Sequence, residues 1–446
     1  MVEVSRRACR RHVLVAAFLS AFDCVAATLD DPDWAVNIGG AEYRAADGSQ
    51  FAADDSIAET SWVLAGAQER LDTVLGTQNP TLYQSYRRGP IAIRQPIENG
   101  RYVVTLHFAE PESIGVGERE FDVFLEGQRF SERLDVMLMR DGKTHSALTV
   151  SFPGVMVNDG ALDLELRAVE SEPILSAIDV RSSKAMDPRW KLVWSDEFDL
   201  EGAPDKSRWQ IDEWPARVVN DEDQAYTARK RNLRIENGVL IIEAHLEKYG
   251  DAAYTSGRMH TRGLKDILYG RVDVRAKVPE GKGTWAAAWM LPSAPFHYAT
   301  TCEPGSAWQG VDECDAWPNS GEIDILEHVG YQPGHIHGTV HNRAYYWANW
   351  RQRKGRIIID DIGQGFHTYS VEWFPERIDL FVDQQHYFSY VNENEGWQAW
   401  PYDRAFHVIL NLAIGGAWGR AGGGIDDSLF PHQLLVDYVR VYEFSR

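Results

Sequence analysis

Four cysteines in 446 residues are too few for a disulfide-built scaffold, and no CxxC or second close pair supplies a zinc site. No uncharged apolar run reaches about 18 residues, so a membrane-spanning helix is excluded. Basic residues are in deficit: 45 Lys and Arg stand against 66 Asp and Glu, for a net charge of −21 and a pI near 5.1. Without a basic footprint, nucleic acid is excluded as a partner. The 37 glycines and 19 prolines follow no period, which excludes a collagenous chain. Long amphipathic helices and short-period repeats are also missing. What the chain has in excess is tryptophan: 16 residues, where average usage gives about six.

The first 27 residues read as an export signal. Arg6, Arg7, Arg10 and Arg11 form a basic start, Val13 to Phe22 an apolar run too short to span, and Val25-Ala26-Ala27 a small-residue cleavage site. Phe22-Asp23 before Cys24 makes a poor lipobox, and Ser5-Arg6-Arg7 only a weak twin-arginine pattern, so the route stays open. The expectation is a secreted or periplasmic protein, free of the membrane after cleavage, and a monomer. Cleavage removes Cys9 and Cys24. Cys302 and Cys314 remain, twelve positions apart, and read as a disulfide stapling one loop, which stabilises by roughly 3 kcal/mol on a chain-entropy argument.

The rest divides near residue 185. Fourteen of the 16 Trp follow residue 189, and the polar stretch Ser182 to Pro188 marks a seam. The block 34–182 holds short strand patterns: Tyr102 to Phe108, Phe121 to Leu125, and Leu162 to Leu166 with clean alternation. Such runs between turns predict a β-sandwich. The block 190–446 is strand-rich as well. In Gly270 to Val278, Val272, Val274, Ala276 and Val278 share one face, and Arg271, Asp273, Arg275 and Lys277 the other. The fold class is all-β: an N-terminal sandwich, then a larger two-sheet jelly roll.

Chemistry concentrates in Glu322-Ile323-Asp324-Ile325-Leu326-Glu327. On a strand Glu322 and Asp324 share a face, whereas Glu327, five positions from Glu322, faces away. One extra residue, a β-bulge at Ile325-Leu326, returns Glu327 to the first face and turns Ile323, Ile325 and Leu326 together into the core. Two carboxyls converging this way are the equipment for glycoside hydrolysis, one attacking the sugar and one protonating the leaving oxygen. Taken alone, the triplet also fits a solvated acidic edge strand. Trp285 and Trp289, four apart with Ala287 between, share a strand face and offer stacking platforms for sugar rings, as does Trp418.

The second block resembles glycoside hydrolase family 16, and within it the laminarinase-like endo-β-1,3-glucanases. The resemblance rests on the acidic segment and on Leu192 to Phe198, Tyr269-Gly270-Arg271, Gly283 to Met290, His337 to His341, His367-Thr368-Tyr369, Asn411 to Gly416 and Asp437 to Tyr442, in order along the chain. It implies Glu322 as nucleophile, Glu327 as acid/base and Asp324 as assistant to the nucleophile, with His341 nearby. Asn220 and Arg258 match substrate-contacting polar positions. No cofactor is implied for the chemistry; Glu197, the Gly238 carbonyl and Asp437 match a structural Ca²⁺ position. Where the family usually has proline, this chain has Ala286, which puts the shape of one subsite in question. The insertion between Pro292 and Ser320 is longer than expected and is a candidate wall for one end of the cleft.

The first block resembles a malectin domain through Val36 to Gly40, Leu82-Tyr83-Gln84, Gly100 to Glu110 and Ile174 to Val180. This implies glycan binding, with Tyr83, Tyr86 and Phe108 as contacts, and a domain separable from the catalytic one; a purely structural spacer is the alternative. The combined expectation is an exported endo-β-1,3-glucanase with β-glucan as its polymer partner. A mixed-linkage glucanase, another polysaccharide hydrolase or transglycosylase of the family, and a non-catalytic glucan-recognition protein remain as alternatives.

Overall fold

A computed structural model describes residues 31–54, 67–183 and 185–445; the export segment and its cleavage site lie outside the described residues. The architecture is two β-sandwiches, as the alternating patterns predict. In the C-terminal one, the strands Arg258–His260, Phe406–Ile414, Thr284–Pro292, Glu322–Val329, His335–His341 and Arg353–Ile358 lie side by side in that order. A ten-stranded sheet that includes Gly270–Lys277, His367–Trp373, Arg377–Val382, Gln385–Val391 and His432–Phe444 packs against them. Apolar side chains from both sheets, among them Val272, Val274, Ile323, Ile325, Leu326, Val340, Leu410 and Val439, close one core. Burying chains of this size is the main driving force, at about 1.5–3 kcal/mol each.

The polar face of Gly270–Lys277 is not uniformly solvated. Arg271 is only 1% exposed. Its guanidinium bonds Asp273 at 2.6 Å, Glu372 at 2.8 Å and the Ser370 hydroxyl at 2.9 Å. A second small cluster of Trp190, Phe374 and Tyr442 forms beside it, and the Trp190 indole N–H also donates to Glu372. The charge is therefore buried but fully partnered.

The N-terminal sandwich stacks the strands Gly100–Ala109, Ala147–Val157 and Ala177–Ser182 on a four-stranded sheet that includes Glu120–Leu125 and Ala161–Glu170. Val104, Leu106 and Phe108 meet Phe121, Val123 and Leu166 in its core.

The two sandwiches are not beads on a linker. Ala147–Val157 pairs in parallel with Arg353–Ile358 through Ser151 and Ile357, so one sheet runs through both. Gln78 exchanges two hydrogen bonds with the Val391 backbone, at 2.8 and 2.9 Å. Gln385 accepts from the Gly154 N–H at 3.2 Å. Ile358, a residue of the second block, is buried in the first block's core. The polar seam near residue 185 suggested easy separation, but these long-range contacts cross it. Removing residues 28–185 is therefore expected to destabilise the remainder. Uncovering Ile358 alone costs about 1.5–3 kcal/mol, or roughly 4–10 °C of melting temperature in a domain of this size. Calorimetry on the truncated and full chains checks this; equal transitions would show that the junction adds no stability.

Candidate active site

The acidic strand begins at Gly321, whose φ is +86°; a Cβ there would sit 2.8 Å from the Pro401 ring, so the turn into the strand needs glycine. Along Glu322–Val329 the ladder shows one residue too many. Asp324 pairs with Thr339 and Glu327 with His337, three steps against two, and on the other side Trp289 pairs with Asp324 but Ala288 with Leu326. The bulge falls at Ile325-Leu326. Ile323, Ile325 and Leu326 are all fully buried in the core, while Glu322, Asp324 and Glu327 stand on the opposite face.

Directly paired residues share a face, so a row crosses the sheet beneath the cleft: Arg258, Asn411, Ala287, Glu327, His337 and Arg356. At normal strand spacing that row spans about 24 Å. Ala287, between Trp285 and Trp289, leaves room above the floor for the Glu327 carboxylate. Ala286 is fully buried and points into the core; the departure from the family's proline therefore does not line the cleft.

Each glutamate is held by an indole. Trp317 Nε1 donates to Glu322 at 3.0 Å and Trp285 Nε1 to Glu327 at 3.1 Å. Asp324 is buried and hydrogen-bonds Glu322, though its Oδ2 finds no hydrogen-bond partner among the described residues. Burial raises the pKa of all three acids. For Glu322 the charge of Glu327 adds to the effect, and for Asp324 those of Glu322 and Glu327. The Trp285 hydrogen bond and the Lys354 charge oppose the rise at Glu327. The cluster thus holds protons to higher pH than free carboxyls do, which suits one ionised and one protonated glutamate near neutrality. His341 Nε2 lies 3.4 Å from Asp324 and 3.8 Å from Glu322. Burial lowers its pKa to about 3, so it is a neutral neighbour.

Of the other expected residues, Arg258 sits between the rings of Trp214 and Trp289, 4.5 and 4.9 Å from their centroids, and bonds Asp212 at 2.9 Å. Its charge favours ionised Glu322. Trp418 meets Trp285 edge to face at 5.4 Å and His337 at 4.9 Å. Asn220 bonds Glu222 at 3.3 Å. Sequence reasoning missed the relay that follows. Buried Glu222 accepts from Tyr226 at 3.0 Å, Tyr226 accepts from Asn411 at 3.1 Å, and Asn411 accepts from the Trp289 indole at 2.7 Å. The 293–319 insertion carries the Cys302–Cys314 disulfide. It packs close to the Asn220 loop: a Cβ on Gly310 would fall 1.7 Å from the Val218 carbonyl. It delivers Trp317 to Glu322.

Two expectations are corrected. Glu197 is clasped by Arg440, with bonds of 3.0 and 2.8 Å, and Asp437 bonds Arg275. Each carboxylate already holds a guanidinium, so this pair does not fit a calcium ion as arranged. In the N-terminal domain, Tyr83, Tyr86 and Phe108 are all buried. Phe108 packs on Phe121, and Tyr86 donates to Glu69. Tyr83 bonds His107 and Thr149 and lines a cavity of about 110 Å³ between the domains, together with Asp179, Lys354 and His386. Tyr86 and Phe108 offer no ring face to a glycan.

Both blocks match known families. The family described as glycosyl hydrolases family 16 matches residues 220–439, and the malectin domain matches residues 33–183. A β-glucanase of Rhodothermus marinus is 47% identical over 270 residues, 59% of this chain and 88% of the relative. A keratan-sulfate endo-1,4-β-galactosidase of Sphingobacterium multivorum is 31% identical over 285 residues, 62% of this chain and 60% of the relative. The X-ray structure of the laminarinase from Rhodothermus marinus superposes with a TM-score of 0.52 at 44% identity, covering 58% of this chain and 98% of that one.

Proposed function

The chain belongs to glycosyl hydrolase family 16, and from that premise we propose that it is an exported endo-β-1,3-glucanase that cleaves with retention of configuration. The observation that carries the reading is the bulge that sets Glu322 and Glu327 on one face with Asp324 between them. Glu322, ionised, attacks the anomeric carbon while Glu327, protonated, gives its proton to the departing glycosidic oxygen. A covalent glycosyl-enzyme results. Glu327, now a carboxylate, takes a proton from water, which attacks the same carbon and frees Glu322. Asp324 and the Trp317 indole hydrogen-bond Glu322 and favour its anion. Trp285, Trp289 and Trp214 supply apolar faces for sugar rings around this point.

The β-1,3 linkage is favoured by the relatives named β-glucanase and laminarinase, and export by the basic-then-apolar N-terminus together with the 302–314 disulfide. The test is a panel of β-1,3-glucan, β-1,4-glucan, mixed-linkage glucan and galactans, with reducing ends and viscosity followed together. A fast viscosity drop on β-1,3-glucan is the expected result. Turnover confined to a galactan or to β-1,4-glucan would overturn the substrate assignment.

A further inference from the structure

The row beneath the cleft does not stop at the glutamates. Beyond Glu327 and Asp324 it continues through His337 to Arg356 and through Thr339 to Lys354, on the side away from Arg258. Both side chains share the face of the carboxylates, and there they meet the N-terminal domain. Arg356 Nη2 donates to the Met139 carbonyl at 3.2 Å, and Lys354 Nζ is 3.9 Å from the Asp141 carboxylate. The short helix Val136–Met139 and the turn that follows therefore stand along one end of the cleft.

One loop carries aromatic rings both beside the nucleophile and beside that turn. Trp317, bonded to Glu322, meets Tyr346 edge to face at 5.7 Å. Trp347 and Trp350 follow on the same loop, 56% and 57% exposed. Lys143 of the N-terminal domain lies 5.4 Å from the Trp350 ring centroid. Trp350 has φ +61° and ψ +20°, a left-handed conformation that bulky residues rarely adopt. The loop is pinned around it: Asn349 accepts from the N–H groups of Tyr346 and Arg351, both at 3.1 Å, and donates to the Ala344 carbonyl at 2.9 Å. Backbone strain that holds a large apolar ring out in water points to a ligand for that ring.

The geometry points to a composite sugar-binding subsite, made of Trp347 and Trp350 from the catalytic domain with Lys143 and Asp141 from the N-terminal domain, that takes the distal units of a long glucan chain as it leaves the cleft. The rings stack on sugar C–H faces, and the lysine and aspartate take hydroxyls. The N-terminal domain thus completes the substrate site as well as covering a sheet edge. This rests on the glucanase reading above.

The test uses the full chain and β-1,3-gluco-oligosaccharides of graded length, with Trp350→Ala and Lys143→Ala made separately and their melting temperatures compared with wild type. Both variants are expected to keep kcat/KM on the shortest cleaved oligosaccharides and to lose about five- to tenfold on the longest, with product sizes shifted. Because the two residues belong to different domains, a matching length dependence identifies the shared site. Equal loss at every length, or no loss on long chains while wild type cleaves them, overturns the subsite and leaves the activity standing. Failure of wild type to cleave any of these oligosaccharides overturns both.

Discussion

Glu322→Gln is expected to abolish turnover, by roughly 10⁴-fold or more, while the protein folds, binds glucan and becomes more stable. The amide keeps the shape of the carboxyl and can still accept the Trp317 hydrogen bond, but it cannot attack an anomeric carbon. The stability gain follows from proton linkage. Burial and the neighbouring Glu327 raise the Glu322 pKa well above its ordinary 4.5, as part of a cluster that titrates together with Asp324 and Glu327. Above the ordinary carboxyl range the folded cluster of Glu322, Asp324 and Glu327 holds protons that the unfolded chain has released, so its contribution is full in acid and declines as pH rises and the cluster must ionise further. Glutamine has no such dependence. The variant should therefore match wild type near pH 4 and exceed it near pH 8, where wild type has one more buried carboxyl to ionise. Denaturant unfolding at the two pH values measures the difference. A variant that is inactive because it is unfolded, or that turns over normally, contradicts the role given to Glu322.

Glu327→Gln is expected to lose about 10²–10⁴-fold on glucan, the range typical of a general acid, while largely keeping the first chemical step on aryl glycosides whose phenolate departs unaided. The distinction follows from position. Glu327 is on the Glu322 face only because of the bulge, with Trp285 donating to it and Ala287 leaving space beneath. A rapid burst of phenolate followed by slow turnover would report a glycosyl-enzyme that forms without the acid and lacks a base to hydrolyse it. Equal loss on both substrate types would assign Glu327 to structure or binding instead. Wild-type activity should also fall at alkaline pH as Glu327 loses the proton it must donate.

The carboxylates were legible in the sequence because their signal is local. A two-residue period carries Glu322 and Asp324, and the doublet Ile325-Leu326 where one apolar residue would suffice announces the bulge. Trp285 and Trp289 were legible by the same period, with small Ala287 between them. The residues that were missed depend on chain segments distant in sequence. Trp317 reaches Glu322 only through the fold of the insertion, and Trp214 meets Arg258 from a loop. Glu222, from a loop, supports Trp289 through Tyr226 and Asn411, which lie on two different strands. Buried and exposed aromatics look alike along a strand, which is why Tyr86 and Phe108 read as glycan contacts yet pack inside. The seam near residue 185 is visible as composition, whereas the pairing of Ser151 with Ile357 leaves no local mark.

The roles of the two glutamates are read most directly from the configuration of the first-formed product, followed by proton NMR in the opening minutes of hydrolysis before mutarotation. Glu322 and Glu327 stand on one strand with the Glu327 charge felt at Glu322, an arrangement suited to direct attack; inversion needs carboxyls roughly 6.5–9.5 Å apart with water between them. The β-anomer should appear first from a β-linked glucan, and the α-anomer should grow in later. If the α-anomer appears first, no glycosyl-enzyme forms on Glu322, and the paired roles of the two glutamates are wrong.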